Sequence, residues 1–413
     1  MYYERKVLDD LYLITGNDRR LHRFENMFAL PEGVAYNAYL LMDEKTVLFD
    51  GMDGAVRDIY DDAVRKILNG RPLDYFVIHH VEPDHCMTII DVLREHPETK
   101  VLCSKQALTF LKNFYPDHKD VGVDFDAITQ TIAEGDTLST GRHELLFLSA
   151  SMVHWPEVMV TYDKTDRVLF SADAFGSFKA ADGHNFVDKV DFWRDWLDEA
   201  RRYYINIVGR QGKPVMKVLG KASTVPIDII CPIHGLVWRD AENIGKIIDK
   251  YVKWASYVPE EEGIVIIYSS MYGNGAQVAE FIAQMLSDRG VRRIKVHDVA
   301  ETETSIMIAD LFQYSHVVFW AQNYNTLLYP VMEALIREIK MLNWQNRKVG
   351  FVHMKSWAGK SLEIAREELG VGANNIEEVA EPVMITSSLK EEQFAELERF
   401  ADQIAATFED LAK

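Results

Sequence analysis

Cysteine is nearly absent, with three in 413 residues, at Cys86, Cys103 and Cys231. That number excludes a disulfide framework, and no two of them have the spacing of a thiolate metal site. A reducing compartment fits, so the cytoplasm is the expected location. Long apolar runs are also missing. No stretch approaches a membrane span, and the opening Met1-Tyr2-Tyr3-Glu4-Arg5-Lys6 lacks the apolar centre of an export signal, so neither membrane nor export is expected. Positive charge is scarce: 45 Lys and Arg face 64 Asp and Glu, a formal net charge of -19. Phosphate backbones need a basic face, which rules against a nucleic-acid partner. The small cluster Arg292, Arg293 and Lys295 reads either as a docking patch or as a solvated strand edge.

What the chain does contain is 48% hydrophobic and 26% charged residues, the balance of a globular protein too long for one ordinary core. Two domains are expected, at 1–255 and 256–413. The first reads as short strands rich in β-formers, at Leu11–Ile14, Ala38–Leu41, Thr46–Phe49, Tyr75–Ile78, Glu144–Leu148, Val158–Thr161 and Val168–Ser171. Helices are predicted at Val56–Leu68 and Ala107–Phe114. This mixture suggests a layered α/β sandwich. After a linker at Ser256–Glu262, strands at Gly263–Tyr268, Arg293–His297, His316–Trp320, Lys348–His353 and Val379–Ile385 alternate with helices, the last helix starting near Lys390. Five such strands match a doubly wound parallel sheet.

The run His80-Val81-Glu82-Pro83-Asp84-His85 directly follows the strand at Tyr75–Ile78. Alternate side chains of an extended segment share a face, so His80, Glu82 and Asp84 can converge, with His85 turning in as a helix starts. His79 falls on the opposite face and reads as a packing or supporting residue. Imidazole mixed with carboxylate suits iron that changes oxidation state, whereas zinc hydrolase sites lean on imidazole and thiolate. Further candidates stand at strand ends or turns: His154, Asp173 and His234. Each alone is as readily a cap or loop residue as a ligand; beside the hexapeptide, the metal reading prevails.

A second site is expected at Ser269-Ser270-Met271-Tyr272-Gly273-Asn274-Gly275, between the strand Gly263–Tyr268 and a helix at Ala276–Leu286. Hydroxyls, backbone N–H groups and a helix N-terminus there form an anion cradle. Neither a Walker ending nor G-x-G-x-x-G is present. Two more loops follow strand ends, Ala321-Gln322-Asn323-Tyr324-Asn325-Thr326-Leu327 and Met354-Lys355-Ser356-Trp357-Ala358-Gly359.

With these segments in place the chain resembles, over nearly its whole length, the flavodiiron proteins (A-type flavoproteins). Their motif H-x-E-x-D-H, a distant His, an Asp nineteen residues later and a His about sixty beyond match His80, Glu82, Asp84, His85, His154, Asp173 and His234. The resemblance implies a metallo-β-lactamase-like αββα sandwich followed by a flavodoxin-like domain. It implies one iron on His80, Glu82 and His154, another on Asp84, His85 and His234, and Asp173 bridging. It implies FMN held by Ser269, Ser270, Met271, Tyr272, Gly273 and Asn274, by Gln322, Asn323, Tyr324, Asn325 and Thr326, and by Ser356, Trp357, Ala358 and Gly359. Tyr324 and Trp357 are candidates to stack on the ring, or else to pack their loops.

The implied activity is reduction of O₂ to water, of NO to N₂O, or of both. Electrons would pass through FMN from a separate rubredoxin or rubredoxin-like reductase, since no Cys-x-x-Cys pair of a fused one is seen. In the family a head-to-tail homodimer, or a dimer of dimers, brings one subunit's flavin to the other's iron. A zinc hydrolase with a flavodoxin-like appendage is the competing reading, opposed by Glu82, where such hydrolases carry His. Several residues depart from the family pattern: Cys86-Met87 after the motif, Gly275 and Ser270 where Thr is usual, and His353-Met354-Lys355 in place of small residues. Met87 can bear on the pocket or simply pack on its helix. Residues near Tyr36, Asn37, Met87 and Trp155 are where a preference between the gases would be set, and the ligands themselves do not name the gas.

Overall fold

The computed structural model describes residues 3–409 and Leu411. Among them no helix is long and apolar enough to cross a membrane. The chain divides into two compact units that part between Asp249 and Lys250, inside the helix Ala241–Ala255.

Two sheets make up the first unit. In the larger, Arg5–Lys6, Leu11–Asp18, Val34–Met42 and Thr46–Phe49 pair antiparallel, and Tyr75–Val77, Lys100–Cys103 and Thr129–Thr131 continue in parallel. In the smaller, Thr137–Ser139, Glu144–Ser149, Met159–Asp163 and Val168–Phe170 are antiparallel, and Ile229–Cys231 closes it in parallel. Alternating residues of both sheets form one core, with Leu11, Leu13, Tyr39, Leu41 and Phe49 meeting Leu145, Phe147, Met159 and Phe170. The Phe49 and Phe170 rings stack at 3.9 Å. On the outer face of the larger sheet, Tyr60, Val64 and Leu68 of the helix Arg57–Leu68 and Leu111 of Lys105–Phe114 cover Tyr36, Leu40, Leu48 and Phe76. Val218, Leu219 and Ala222 of the helix Gly212–Ala222 face Leu148, Val160 and Leu169 of the smaller sheet. The result is the expected αββα order of layers.

Strand lengths differ from the expectation. Leu11–Ile14 extends to Asp18 because Thr15 and then Gly16, Asn17 and Asp18, three poor β-formers, pair in register with Asn37, Tyr36, Ala35 and Val34. Cross-strand pairing overrides their weak propensity.

In the second unit the strands lie in the order Ile294–Asp298, Glu261–Tyr268, Tyr314–Tyr324, Arg347–Lys355, then Ile376–Glu378 and Val383–Thr386, all parallel. Counted along the chain this is the 2-1-3-4-5 order of flavodoxin-like sheets. Ile264, Val265, Ile266 and Ile267 are buried, as strands covered on both faces must be. The single strand expected at Val379–Ile385 is in fact two short ones on either side of Pro382, which offers no N–H to a ladder. Ile294–Asp298 lies at the sheet edge, and Arg293 is paired with Glu261 at 2.6 Å. The basic cluster there is thus a solvated edge.

The segment expected to be a linker is held by the second unit. Buried Arg347 donates to the carbonyls of Leu311, Phe312, Tyr257, Gln345 and Asn346. Trp254 Nε1 donates to Glu260 Oε1 at 2.6 Å, and the strand begins at Glu261 rather than Gly263.

A cluster of acids around His143 ties the two sheets' edges. His143 Nδ1 lies 2.7 Å from Asp163 Oδ2 and Nε2 lies 3.0 Å from Asp10 Oδ2. Although Asp10, His143 and Asp166 lie close enough together to hold a cation, Arg142 already pairs with both acids. Burial lowers the imidazole's affinity for protons, but Asp163 and Asp10 outweigh it and raise its pKa to about 9. A raised folded-state pKa stabilises fully below the ordinary imidazole value and is lost as pH rises through 9. Between pH 6.5 and 10 the wild type is therefore expected to lose roughly 2 kcal/mol more than His143→Gln. Denaturant midpoints at the two pH values measure this, and parallel losses would refute it.

Candidate metal centre and a second cleft

The metal candidates sit where strands of both sheets end. Asp50, after Thr46–Phe49, accepts His79 N at 2.7 Å and approaches His79 Nδ1 at 2.6 Å; Thr161 Oγ1 lies 2.7 Å from Nε2. His79 is thus the supporting residue its position implied. His80 and Glu82 follow in extended backbone, but Asp84 and His85 lie on a single helical turn, Pro83–Cys86. The expectation that Asp84 shares an extended face with His80 is corrected by that turn. Pro83 at its first position favours helix, and the change of direction aims Asp84 with His85 at a second point.

The remaining three arrive from the smaller sheet. His154 lies in the turn between Glu144–Ser149 and Met159–Asp163, Asp173 just beyond Val168–Phe170, and His234 just beyond Ile229–Cys231. Asn37 Nδ2 donates to the carbonyls of Pro232 and Gly235 at 3.1 and 3.0 Å, and Tyr39 donates to Pro232 O at 2.7 Å. Gly235 has φ +73°, and a Cβ there would stand 2.3 Å from Ser177 Oγ, so only glycine lets this loop close.

These seven side chains form two groups. Glu82 Oε2 lies 3.1 Å from Nε2 of both His80 and His154. Asp84 Oδ2 lies 3.4 and 3.3 Å from Nε2 of His85 and His234. Asp173 belongs to both. Its Oδ2 is 3.3 Å from His80 Nε2 and 3.6 Å from His154 Nε2, while its Oδ1 is 3.5 Å from His85 Nε2 and 3.6 Å from His234 Nε2. The Nε2 atoms of His85 and His234 face each other at 3.0 Å.

All seven are buried or nearly so. Burial opposes the charge of Asp173, but His80, His85 and His154 hold its carboxyl well below the usual range. Burial likewise opposes a proton on His80, but Asp173, Glu157 and Glu82 raise it well above the usual imidazole value. Each charge is therefore maintained only by its neighbours. Both oxygens of Asp84, Oδ2 of Asp173 and Nδ1 of His85 are buried without a hydrogen-bond partner. The outer nitrogens of two histidines are held, His80 Nδ1 by Glu157 Oε1 at 2.7 Å and His234 Nδ1 by Ala35 O at 3.0 Å. Donation outward turns the Nε2 lone pairs inward onto carboxylate oxygens, which a cation reconciles. Two divalent ions bring four positive charges against three carboxylates, so the donor set fits a pair of metals.

Three residues here were not anticipated. Glu157, buried, holds His80 and also accepts Val81 N at 3.1 Å. Tyr203 donates to Asp173 Oδ1 at 2.8 Å. Glu25, on the turn between Arg23–Phe24 and Phe28–Ala29, is an exposed residue, yet partial desolvation of its carboxyl beside Glu82 pushes it up to about 8. None of these lay within a segment already singled out; Glu157 only adjoins the turn that carries His154. Trp155 packs edge-on against His80 at 5.1 Å, and Tyr36 and Phe24 each lie 5.4 Å from the His234 ring. Met87 is largely exposed, and its sulfur accepts Gly54 N at 3.4 Å.

The second cleft opens at the carboxyl ends of the parallel strands, a cavity of about 500 Å³. Of the residues expected there, Ser270, Met271, Tyr272, Asn274, Gln322, Asn323, Tyr324, Asn325, Ser356 and Trp357 line it. Ser269, Gly273, Thr326, Ala358 and Gly359 do not; Gly359 instead backs Asn323, and a Cβ there would stand 1.7 Å from Asn323 Oδ1. Gly275, Met354, Lys355 and Ser387 complete the lining. Ser387, beyond Val383–Thr386, donates to Ser356 Oγ at 3.0 Å.

The middle loop is shorter than expected. Its strand runs to Tyr324 and turns at Asn325 and Thr326, with φ +48° and +67°, into Leu327–Leu328, a two-residue hairpin turn. Tyr324 and Trp357 are 43% and 60% exposed at the rim, and Tyr324 meets Tyr329 edge-on at 6.1 Å. Ser269 Oγ and both side-chain atoms of Asn323 are buried without partners. A ligand with an anionic end and a polar ring edge fits this cradle. At Gly275 a Cβ would lie 2.4 Å from Ser269 O, and Ser270 Oγ accepts Gly275 N at 3.0 Å.

Replacing Glu157 with Gln removes the anionic acceptor behind His80. The variant is expected to hold metal roughly ten- to a hundredfold less tightly. Competition with a chelator measures this, and unchanged retention would show that Glu157 has no part in positioning His80.

A family model described as "ODP family beta lactamase" matches residues 34–235. The anaerobic nitric oxide reductase flavorubredoxin of Escherichia coli is 31% identical over 364 residues, spanning 86% of this chain and 73% of its own. Among solved structures, rubredoxin oxygen:oxidoreductase of Desulfovibrio gigas superposes with a TM-score of 0.89 at 26% identity, covering 98% of both chains. The flavodiiron protein of Giardia intestinalis superposes with the same score at 20% identity, over 98% of this chain and 96% of that one, which speaks for the fold alone. With the 31% relative spanned over most of its length and the two-unit fold shared, the chain is a member of the flavodiiron protein family of oxidoreductases.

Proposed function

We propose that the chain reduces dioxygen, nitric oxide or both at a diiron centre in residues 1–255, with electrons delivered through FMN bound in residues 256–413. His80, Glu82 and His154 would hold one iron, and Asp84, His85 and His234 the other. One observation carries this reading: the two oxygens of buried Asp173 face different histidine pairs. A carboxylate placed so is suited to bridge two metals. Seven ligands shared by two irons leave positions open for a diatomic substrate. Bound there, the iron pair and the FMN would supply two electrons each, four for O₂ to two waters, or two for joining two NO molecules into N₂O and water.

The chain's own residues prepare the site. Glu157 and Ala35 O fix which nitrogen of His80 and His234 faces inward. The hydroxyl of Tyr203 holds Asp173 Oδ1. Phe24, Tyr36 and Trp155 surround the imidazoles with apolar surface and limit water. In the cleft, Asn323 offers unpartnered polar atoms to FMN, with Tyr324 and Trp357 at the rim. A separate rubredoxin or rubredoxin-like reductase is the proposed donor, and a head-to-tail homodimer or dimer of dimers the proposed assembly. The names of the two relatives, one for each gas, support both substrates.

The purified protein is expected to carry two irons and one FMN per chain. After anaerobic reduction and rapid mixing with O₂ and separately with NO, its flavin should reoxidise with at least one gas, and Asp173→Ala should abolish this. Zinc without iron, together with hydrolytic turnover, would overturn the reading, as would a flavin that stays reduced with both gases. The crowding at Gly275 leads to a second expectation. Gly275→Thr, although a change toward the family pattern, should weaken FMN binding by about tenfold, because backbone at Ser269 must move to admit the side chain. Flavin fluorescence titration decides, and equal or tighter binding would contradict it.

A further inference from the structure

Away from both clefts, the first unit has a cavity of about 730 Å³ lined by Lys213, Lys217 and Lys221 on one side and by Glu134, Ser149 and Ser151 on the other. The three lysines stand at i, i+4 and i+8 on the helix Gly212–Ala222, and so share a face. Their charges are unequally matched. Lys221 Nζ is 2.8 Å from Glu134 Oε2 and donates to Ser149 O at 3.0 Å. Glu134 is also committed to Ser149 N at 2.6 Å. Among the described residues, Lys213 and Lys217 have no ion-pair partner. Two ammoniums without an ion pair thus line one cavity, Lys217 acting on Glu134 only at longer range, in a chain whose net charge is -19.

We propose that this cavity binds a compact polyanion with adjacent phosphates, as in pyrophosphate or the diphosphate of a nucleotide. Lysines one turn apart have Cβ atoms roughly 5–6 Å from each other, and flexible stems let both ammoniums reach neighbouring phosphate groups. The hydroxyls of Ser149 and Ser151 stand opposite as further donors. The apolar side of the helix, Val218, Leu219 and Ala222, is packed on the smaller sheet and fixes the lysine face outward. The opposite wall has a consequence for the metal centre: Ser149–Ser151 runs directly into the turn carrying His154, where Val153 N donates to Ala150 O at 2.9 Å. A bound polyanion would order this turn.

The test uses the FMN- and iron-loaded protein, so that the flavin cleft is filled. Calorimetric titration with inorganic pyrophosphate and with ADP at low ionic strength, against sodium sulfate of matched ionic strength, should show saturable binding of at least one diphosphate. Binding of both places recognition in the phosphates; binding of ADP alone adds a nucleoside contact. Lys213→Gln/Lys217→Gln, altered only at the surface, should bind at least tenfold more weakly. Hydrogen exchange should slow in 149–154 and 213–221 on binding. No saturable binding of either diphosphate, or equal affinity in the variant, overturns the proposal.

Discussion

Asp173 is the constraint on which the first unit turns. A single buried carboxylate is placed between two pairs of imidazoles, one oxygen toward each, and neither pair has its full set of partners without it. Buried charge is tolerated only where each group is compensated, so the positions of six other side chains depend on this one. The architecture follows from that demand. Strand ends from two sheets are brought to one place, Asn37 and Tyr39 brace the His234 loop, and Gly235 closes it where no side chain would fit.

The second unit handles its polar burden differently. Its sheet is largely apolar on both faces, and the unpartnered atoms gather toward the strand ends, at Ser269, Asn323 and His353. Buried Arg347, deep in the same unit, is satisfied by five carbonyls, with burial lowering its pKa to about 9. Arg347 is thus closed structurally, whereas Asn323 is left open toward a cleft, a distinction that separates scaffold from site.

Legibility in the sequence followed the range of the interaction. The hexapeptide was readable because its ligands are neighbours, and the supporting role of His79 followed from strand alternation alone. His154, Asp173 and His234 were recognisable only together and by resemblance. Glu157 and Tyr203 were not, since each meets its partner across a long stretch of chain: His80 and Glu157 are 77 residues apart, Asp173 and Tyr203 30. In the second unit the glycine-containing loop was visible, whereas Ser387 became part of the cleft only because Val383–Thr386 pairs beside Arg347–Lys355. The broken last strand shows a local rule, proline's missing N–H, carrying more weight than the β-rich composition around it.

Residue chemistry and period were determined by the sequence itself: a strand ending in imidazoles and carboxylates, a layered α/β sandwich, a doubly wound sheet headed by an anion cradle. Those properties are local, set by side-chain type and by whether spacing is two or near four. Only the tertiary structure decided that Asp84 turns away from His80 onto a helical turn, that Asp173 serves both groups, and that Glu157 and Tyr203 hold them in place. Distances between side chains far apart in the chain are fixed by strand register and loop closure, and no local pattern encodes them.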